Sequence, residues 1–182
     1  MKVAILAGGL GTRLSEETIV KPKPMVEVGG KPILWHIMNI YASYGYKEFV
    51  IALGYKGEII KDYFLNYHYH SHSMKIDLKS GSVDVYNGQS EDWIVHLLDT
   101  GLDSSTGGRV KKVAEFIGNE PFMLTYGDGV SNINIQNLVD YHRQQGRLAT
   151  VTAVRPPARF GGLGLRENFV SYFTEKPQAG EG

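Results

Sequence analysis

The segment from residue 6 to residue 23, LAGGLGTRLSEETIVKPK, restricts the fold of this chain more than any other. It follows a short apolar run, residues 3–6, that is typical of a buried strand. The glycines after this run, Gly8, Gly9 and Gly11, permit a tight turn and leave backbone N–H groups open to an anion. Because cations follow the glycines, the segment predicts a phosphate-binding loop at the carboxyl end of a first strand.

The spacing of these glycines excludes two familiar kinds of loop. A Walker loop requires Gly-Lys-Ser/Thr at its end, whereas Gly11 is followed by Thr12 and Arg13. A dinucleotide-binding fingerprint that started at Gly9 would require its third glycine where Leu14 stands. The loop is therefore of another kind, and an NAD-dependent oxidoreductase is disfavoured.

Composition limits the class of protein. The 182 residues are 42% hydrophobic and 21% charged, which is typical of a globular protein with one domain. No run approaches the roughly 18–20 apolar residues of a membrane span, and the absence of cysteine excludes disulfides and thiolate metal sites. Nineteen basic and nineteen acidic residues cancel, which disfavours binding to nucleic acid through net charge. We expect a cytoplasmic protein with no nucleic-acid or membrane partner, and no signal peptide, because the first strand begins at residue 2 or 3.

Apolar periodicity predicts alternating strands and helices. Strands are expected at residues 3–6, 25–29, 48–53, 121–125, 148–154 and 169–173, and helices at residues 31–44, 56–67, 107–117 and 135–145. Between them, residues 74–78, 82–86 and 93–98 alternate apolar and polar side chains, as antiparallel strands do, and residues 155–164 read as a loop. The pattern predicts a Rossmann-like α/β fold, with a mixed, mainly parallel sheet flanked by helices and an antiparallel excursion in the middle.

Polar clusters are expected at the carboxyl ends of the strands, where open parallel sheets bind their ligands. Four clusters fall there: the glycine loop, residues 104–109, residues 127–129 and residues 175–176. Asp128 stands between two glycines and suits an octahedral Mg²⁺ that is also bound by phosphate oxygens and water, although a plain turn would use the same residue.

The cations near these clusters have competing interpretations. Arg13 and Lys23 are predicted to neutralise phosphate rather than to be solvated surface charges, whereas Lys21 is predicted to be a charge at the rim. Arg109 either caps a second anion or a base edge, or is exposed on the first turn of its helix.

Three histidines, His68, His70 and His72, would share one face if their segment were extended, which is a possible zinc arrangement. No carboxylate stands at ligand spacing beside them, so a solvated loop without metal is favoured.

The glycine loop also carries a resemblance to a known family. The run of residues 6–14, with Thr18 and residues 21–25 (KPKPM), resembles the signature of sugar-1-phosphate nucleotidylyltransferases. Residues 106–109 (TGGR), 125–130 (TYGDGV), 159–161 (RFG) and 175–177 (EKP) are similar to motifs of the glucose-1-phosphate cytidylyltransferases within it. The matches follow the right order along nearly the whole chain.

This resemblance implies a fold of the nucleotide-diphospho-sugar transferase type and a reaction of CTP with glucose 1-phosphate that gives CDP-glucose and pyrophosphate. It also implies Mg²⁺, a homo-oligomer and a place in nucleotide-sugar and O-antigen biosynthesis. UTP in place of CTP, or a nucleotide-binding module without catalysis, stay open as alternatives.

The resemblance further assigns roles residue by residue. It implies that the nucleotide is bound by Leu6, Ala7, Gly8, Gly9, Gly11, Thr12, Arg13, Lys23, Ser104, Arg109 and Asp128. Arg13 and Lys23 would be catalytic and Asp128 would bind the metal, while Ser104 and Arg109 would hold the cytidine part. Lys176, with Glu175, would hold the sugar phosphate.

The family pattern extends beyond the Glu-Lys-Pro motif with further sheet and a second metal-binding aspartate. After Lys176 the only acidic residue of this sequence is Glu181. We therefore expect residues 1–182 to form a single nucleotidyltransferase domain that is incomplete at its carboxyl-terminal end.

Overall fold

The computed structural model describes residues 1–9, 20–86, 90–154, 162–166 and 169–174. The strands are β1 (Lys2–Leu6), β2 (Glu27–Val28), β3 (Lys31–Pro32), β4 (Glu48–Leu53), β5 (Ser73–Asp77), β6 (Ser82–Tyr86), β7 (Ile94–Asp99), β8 (Phe122–Tyr126), β9 (Gly162–Arg166) and β10 (Phe169–Thr174). The helices are α1 (Ile33–Ser43), α2 (Gly57–Leu65), α3 (Tyr67–Ser71), α4 (Thr106–Ile117) and α5 (Ile135–Gln145), with a 3₁₀ turn at Lys23–Met25.

Contacts within the chain form two compact units, Met1–Ile135 and Gln136–Gly182. The first unit is built on a four-stranded sheet in the order β7-β4-β1-β8, and every neighbouring pair in it is parallel. The predicted α/β fold with a mainly parallel sheet is confirmed, and the prediction of one domain stays a prediction.

The two central strands, β1 and β4, send alternate side chains to opposite faces of this sheet. On one face Ile5 and Phe49 pack in a cluster with Leu34 of α1 and Ile60 of α2. On the other face the alternate residues of β1 and β4 pack against Val113 and Ile117 of α4; they are Ala4, Leu6, Val50 and Ala52. Both faces are therefore covered by helices, which explains why these strands read as unbroken apolar runs.

The predicted antiparallel excursion is confirmed for β5 and β6, which form a two-stranded hairpin. It is wrong for β7, which pairs in parallel with β4 over Glu48↔Ile94 to Leu53↔Asp99. β7 is an edge strand of the sheet, and a half-exposed edge strand alternates apolar and polar residues whichever way it runs.

Two predicted helices have different bounds. The helix predicted from residue 31 begins at Ile33, because residues 31–32 form β3 and pair with β2, and this pair replaces most of the strand expected at residues 25–29. The helix predicted at residues 56–67 ends at Leu65, and a separate short helix, α3, follows Asn66.

In the second unit, α5 ends just before Gly146, as predicted. The buried strand predicted at residues 148–154 is wrong, because these residues belong to none of the strands and Val151 is 88% exposed. β9 and β10 form an antiparallel hairpin, so residues 162–164 lie in a strand rather than in the predicted loop. None of the helices in the described part of the chain is long and apolar enough to cross a membrane.

Candidate active site

A cavity of about 490 Å³ lies at the carboxyl end of the parallel sheet, within the first unit. Its walls come from the segments after β1, β7 and β8 and from the 3₁₀ turn. It is lined by Leu6, Ala7, Gly8, Gly9, Lys23, Pro24, Leu102, Asp103, Ser104, Ser105, Thr106, Arg109, Tyr126 and Asp128. Three of the four polar clusters that the sequence placed at this edge therefore surround one space.

Several of the predicted site residues lie outside the described residues. They are Gly11, Thr12, Arg13, Glu175 and Lys176, together with the motif at residues 159–161. The described part of the cavity accordingly contains Gly8 and Gly9, at the start of the predicted phosphate loop, and Ser104 and Arg109, which were predicted to hold the cytidine part.

The end of β8 approaches the 3₁₀ turn closely because residue 127 is glycine. The N–H of Gly127 donates to the carbonyl of Leu6 at 2.9 Å. A Cβ added to Gly127 would lie 3.1 Å from that carbonyl oxygen and 3.1 Å from Cγ of Pro24, which is tighter than an ordinary contact. This approach brings Asp128, the next residue, beside Lys23.

Lys23 and Asp128 form an ion pair across the cavity wall. Lys23 Nζ donates to Asp128 Oδ2 at 2.6 Å, and the two side chains are 30% and 38% exposed. Exposed ion pairs of this kind contribute roughly 0–1 kcal/mol to stability. Either partner can therefore exchange the other for a ligand, Lys23 for a phosphate oxygen and Asp128 for a cation.

Asp128 fits the Mg²⁺ that the sequence predicts. Mg²⁺ is commonly held by one or two carboxylates, with phosphate oxygens and water completing its octahedron. Asp128 supplies such an oxygen to the cavity that Gly8 and Gly9 also line, and no cluster of three acidic or histidine ligands occurs among the described residues. A single carboxylate of this kind suits a Mg²⁺ whose other ligands would be phosphate oxygens and water.

Lys21 differs from Lys23 although it stands only two positions away. Its Nζ donates to Glu27 at 2.7 Å, and it does not line the cavity. The structure places it on the outside of the same segment, in agreement with a rim charge.

Arg109 is buried, being 5% exposed, so the alternative of an exposed side chain on the first turn of α4 is wrong. Its terminal nitrogens donate to five oxygens: Gly8 O at 2.9 Å, Leu53 O at 3.0 Å, Thr100 Oγ1 at 2.6 Å, Gly101 O at 2.7 Å and Leu102 O at 3.0 Å. Burial lowers the pKa of this guanidinium, and the nearby Asp99 carboxylate opposes the shift. An arginine retains its charge even so, because its ordinary pKa is far above neutrality.

Ser104 and Ser105 shape the start of α4. Ser105 is the N-cap and accepts the N–H of Gly108 at 3.3 Å. The hydroxyl of Ser104 donates to the carbonyl of Thr100 at 2.5 Å, and Lys112 donates to the same carbonyl at 3.0 Å. Ser104 therefore lines the cavity with its hydroxyl proton already engaged.

Sequence reasoning missed two residues next to this cavity, Thr100 and Gly54. Thr100 is fully buried and donates to Leu53 O at 2.5 Å while accepting from Arg109. Gly54 directly follows the buried strand β4, as Gly8 follows the end of β1 with one residue between. That recurrence of glycine after a buried strand is the signal that would have found it.

The histidine segment forms no metal site among the described residues. His68 and His70 belong to α3 rather than to the predicted loop, and the ring centroids of His68 and His72 lie 4.7 Å apart.

Comparison with known proteins gives one family and consistent relatives. The profile of the family described as "Nucleotidyl transferase" matches residues 2–182. The chain is 54% identical over 179 residues to glucose-1-phosphate cytidylyltransferase of Salmonella typhimurium, covering 98% of this chain and 70% of that protein. It is 48% identical over 176 residues to the probable glucose-1-phosphate cytidylyltransferase of Bacillus subtilis, covering 97% of this chain and 69% of the relative.

Solved structures show the same fold. The crystal structure of HddC from Yersinia pseudotuberculosis matches with a TM-score of 0.61 and 25% identity, covering 96% of this chain and 69% of HddC. The structure of HddC complexed with GMP-PN matches with a TM-score of 0.59 and 25% identity, over 97% of this chain and 70% of that one.

Proposed function

The chain belongs to the nucleotidyl transferase family, and we propose that it transfers the cytidylyl group of CTP to glucose 1-phosphate, giving CDP-glucose and pyrophosphate. The names of its relatives in Salmonella typhimurium and Bacillus subtilis support this substrate pair. The observation that carries the proposal is the cavity itself, which joins the glycine loop, the Lys23–Asp128 pair and the start of α4.

The proposed reaction is an in-line displacement at phosphorus. An oxygen of the sugar phosphate forms a bond to the α-phosphorus of CTP, while the bond from that phosphorus to the bridging oxygen of the β-phosphate breaks. Pyrophosphate leaves with the electron pair. Since the attacking oxygen is already ionised, no general base is required, and the protein has to supply positioning and charge neutralisation.

The described residues suit those two tasks. The backbone at Gly8 and Gly9 lines the cavity where it can approach phosphate oxygens, because neither residue has a side chain. Lys23 can release Asp128 and neutralise the charge that develops on the phosphates. Arg13 is proposed to act beside Lys23, on its position after the glycines and on the resemblance. Lys176 with Glu175 is proposed, on the resemblance, to hold the sugar phosphate.

Asp128 is proposed to hold the metal, and Ser104 and Arg109 to form the side of the cavity that receives cytidine. Bound Mg²⁺ would act as a Lewis acid and would offset the negative charge of the phosphates. A homo-oligomeric assembly is likewise proposed only from the resemblance.

Pyrophosphate release tests the proposal. The protein is incubated with Mg²⁺, glucose 1-phosphate and each of CTP, UTP, ATP and GTP in turn, and pyrophosphate is measured. CTP should give the fastest release, and faster release with UTP would replace the cytidylyl assignment by a uridylyl one. Binding of CTP by calorimetry with no pyrophosphate from any triphosphate would indicate a nucleotide-binding module instead.

A further inference from the structure

The Arg109 guanidinium joins the carboxyl ends of three parallel strands. It donates to Gly8 O after β1, to Leu53 O at the end of β4 and to Thr100 Oγ1 after β7. Thr100 completes this arrangement, because its hydroxyl also donates to Leu53 O at 2.5 Å. We call these four residues the clamp: Gly8, Leu53, Thr100 and Arg109.

The clamp has room because Gly54, like Gly8, has no side chain. A Cβ on Gly54 would lie 2.7 Å from Nη2 of Arg109 and 2.7 Å from the carbonyl oxygen of Gly8. Both distances are shorter than real Cβ contacts, so a side chain would displace the guanidinium or the loop. Gly54 does not adopt a left-handed backbone conformation, so this contact is the reason that glycine is needed there.

The clamp orients a peptide group of the phosphate loop. In a trans peptide the carbonyl of one residue and the N–H of the next point in opposite directions. Because Arg109 Nη2 and the Tyr55 N–H both donate to the Gly8 carbonyl, at 2.9 Å and 3.3 Å, the N–H of Gly9 is turned away from them. The clamp therefore fixes the direction of an amide in the loop that lines the cavity.

We propose that Thr100 and Gly54 are positioning residues for phosphate binding, which act through Arg109 on the Gly8–Gly9 peptide. Neither residue lines the cavity, so neither acts by touching a ligand there. Arg109 positions the same peptide through its terminal nitrogens, which donate hydrogen bonds to protein oxygens. This inference rests on the proposed nucleotide site.

The test compares CTP with inorganic tripolyphosphate, which has the same chain of three phosphates without ribose or base. Both are titrated into the protein by calorimetry in the presence of Mg²⁺, using wild type, Thr100→Val, Thr100→Ser and Gly54→Ala. Thr100→Val removes the hydroxyl at nearly constant volume, Thr100→Ser retains it, and Gly54→Ala adds the obstructing Cβ.

A positioning role predicts that Thr100→Val and Gly54→Ala weaken the binding of both ligands by the same factor, roughly tenfold. The reason is that a misdirected Gly9 N–H loses its charge-assisted hydrogen bond to a phosphate oxygen. Thr100→Ser should retain affinity near that of wild type. Unchanged affinity in Thr100→Val and Gly54→Ala would overturn the inference, and so would a loss confined to CTP, since the clamp would then act on the base. If Thr100→Val fails to fold, Gly54→Ala decides.

Val113→Ala is the matched control for lost stability. Val113 is fully buried in the cluster between the sheet and α4, and it does not line the cavity. Its truncation should lower the melting temperature and leave both affinities unchanged, whereas an equal loss of affinity would show that any destabilisation has this effect and would overturn the inference. A wild-type protein that binds neither ligand would refute the proposed nucleotide site itself, which is a different result from wild-type binding that the variants do not change.

Discussion

The two ends of the parallel sheet both carry charged side chains, but they use them differently. At the carboxyl end Arg109 is 5% exposed, and its guanidinium donates to backbone and hydroxyl oxygens. At the amino end Glu48 meets Lys2 at 3.4 Å and His96 at 3.1 Å, and all three side chains are about a third exposed. Water competes with every contact at the amino end, whereas at the carboxyl end the protein itself must satisfy the charge.

A second contrast lies within the carboxyl end. If Arg109 moved away, carbonyl oxygens of three backbone segments would lose their hydrogen-bond donor. Lys23, in contrast, can exchange one exposed carboxylate for a phosphate. Burial therefore separates a cation that shapes the cavity from a cation that is available to a ligand. The two kinds of cation should respond oppositely to substitution.

The largest effect is expected on stability from Arg109→Ala. The substitution leaves buried carbonyls and the Thr100 hydroxyl without their charged donor, which should lower the free energy of unfolding by roughly 3–5 kcal/mol. Urea denaturation followed by circular dichroism measures it. Lys111→Ala, on the exposed side of the same helix, is the control and should change the unfolding free energy by less than about 0.5 kcal/mol. Equal stability of the two variants would mean that the clamp does not hold the strand ends together.

The next effect is expected on turnover from Lys23→Gln. Loss of a cation that neutralises the transferring phosphates should lower kcat/KM by roughly 100-fold, or about 2.7 kcal/mol. The free energy of unfolding should change by less than about 1 kcal/mol, because the pair with Asp128 is exposed. Pyrophosphate release and urea denaturation give the two values.

Lys21→Gln supplies the matched control for Lys23. Lys21 has a similar ion pair, 2.7 Å from Glu27, but it lies outside the cavity. Its substitution should leave turnover unchanged. Comparable losses in the two variants would show that net charge near the loop matters, and not the position of Lys23.

A smaller effect is expected on the magnesium requirement from Asp128→Asn. An amide is a weaker ligand for Mg²⁺ than a carboxylate, so the Mg²⁺ concentration that gives half-maximal turnover should rise roughly tenfold, which is about 1.4 kcal/mol. Asp103→Asn, which alters another carboxylate of the same cavity, should leave that concentration unchanged. A larger shift in Asp103→Asn would transfer the metal site to that residue.

Sequence patterns located the parts of this site that are local. The apolar runs of β1 and β4 and the glycines after β1 are each contiguous, so period and composition are enough to predict them. The environment of Arg109 was not predictable in this way. Its acceptors are backbone carbonyls from distant segments, Gly8 being 101 positions away, and any residue type carries a carbonyl.

Apolar content also gave a wrong prediction where the burial of a segment depends on pairing with a neighbouring strand. Residues 148–154 have the composition of a buried strand, but Leu148 and Val151 are exposed, since none of the described strands pairs with this segment. β7 shows another failure, because its alternating residues predict an antiparallel strand, whereas it pairs in parallel with β4. Direction depends on the crossover that leads into a strand, and alternation carries no information about it.

The smallest effect is expected at the amino end of the sheet, from Glu48→Gln. The hydrogen bond from His96, with a further contribution from Lys2, lowers the pKa of Glu48. A carboxyl whose pKa is lower in the folded protein than in the unfolded chain stabilises the fold above the unfolded pKa, and this contribution is lost as the pH falls through the folded pKa. Wild type should therefore exceed Glu48→Gln in unfolding free energy by about 0.5 kcal/mol near neutral pH, and the difference should vanish as the pH falls from about 5 to about 3.

Urea denaturation across that pH range measures the difference, with the exposed Glu120→Gln as the control that should show none. Affinity for CTP should be unchanged in Glu48→Gln, because its contacts lie at the opposite end of the strands from the cavity. A loss of CTP affinity in this variant would contradict the division between the two ends of the sheet. It would mean that charge at the amino end reaches the phosphate loop through β4 and β1, the strands that the clamp holds together at their carboxyl ends.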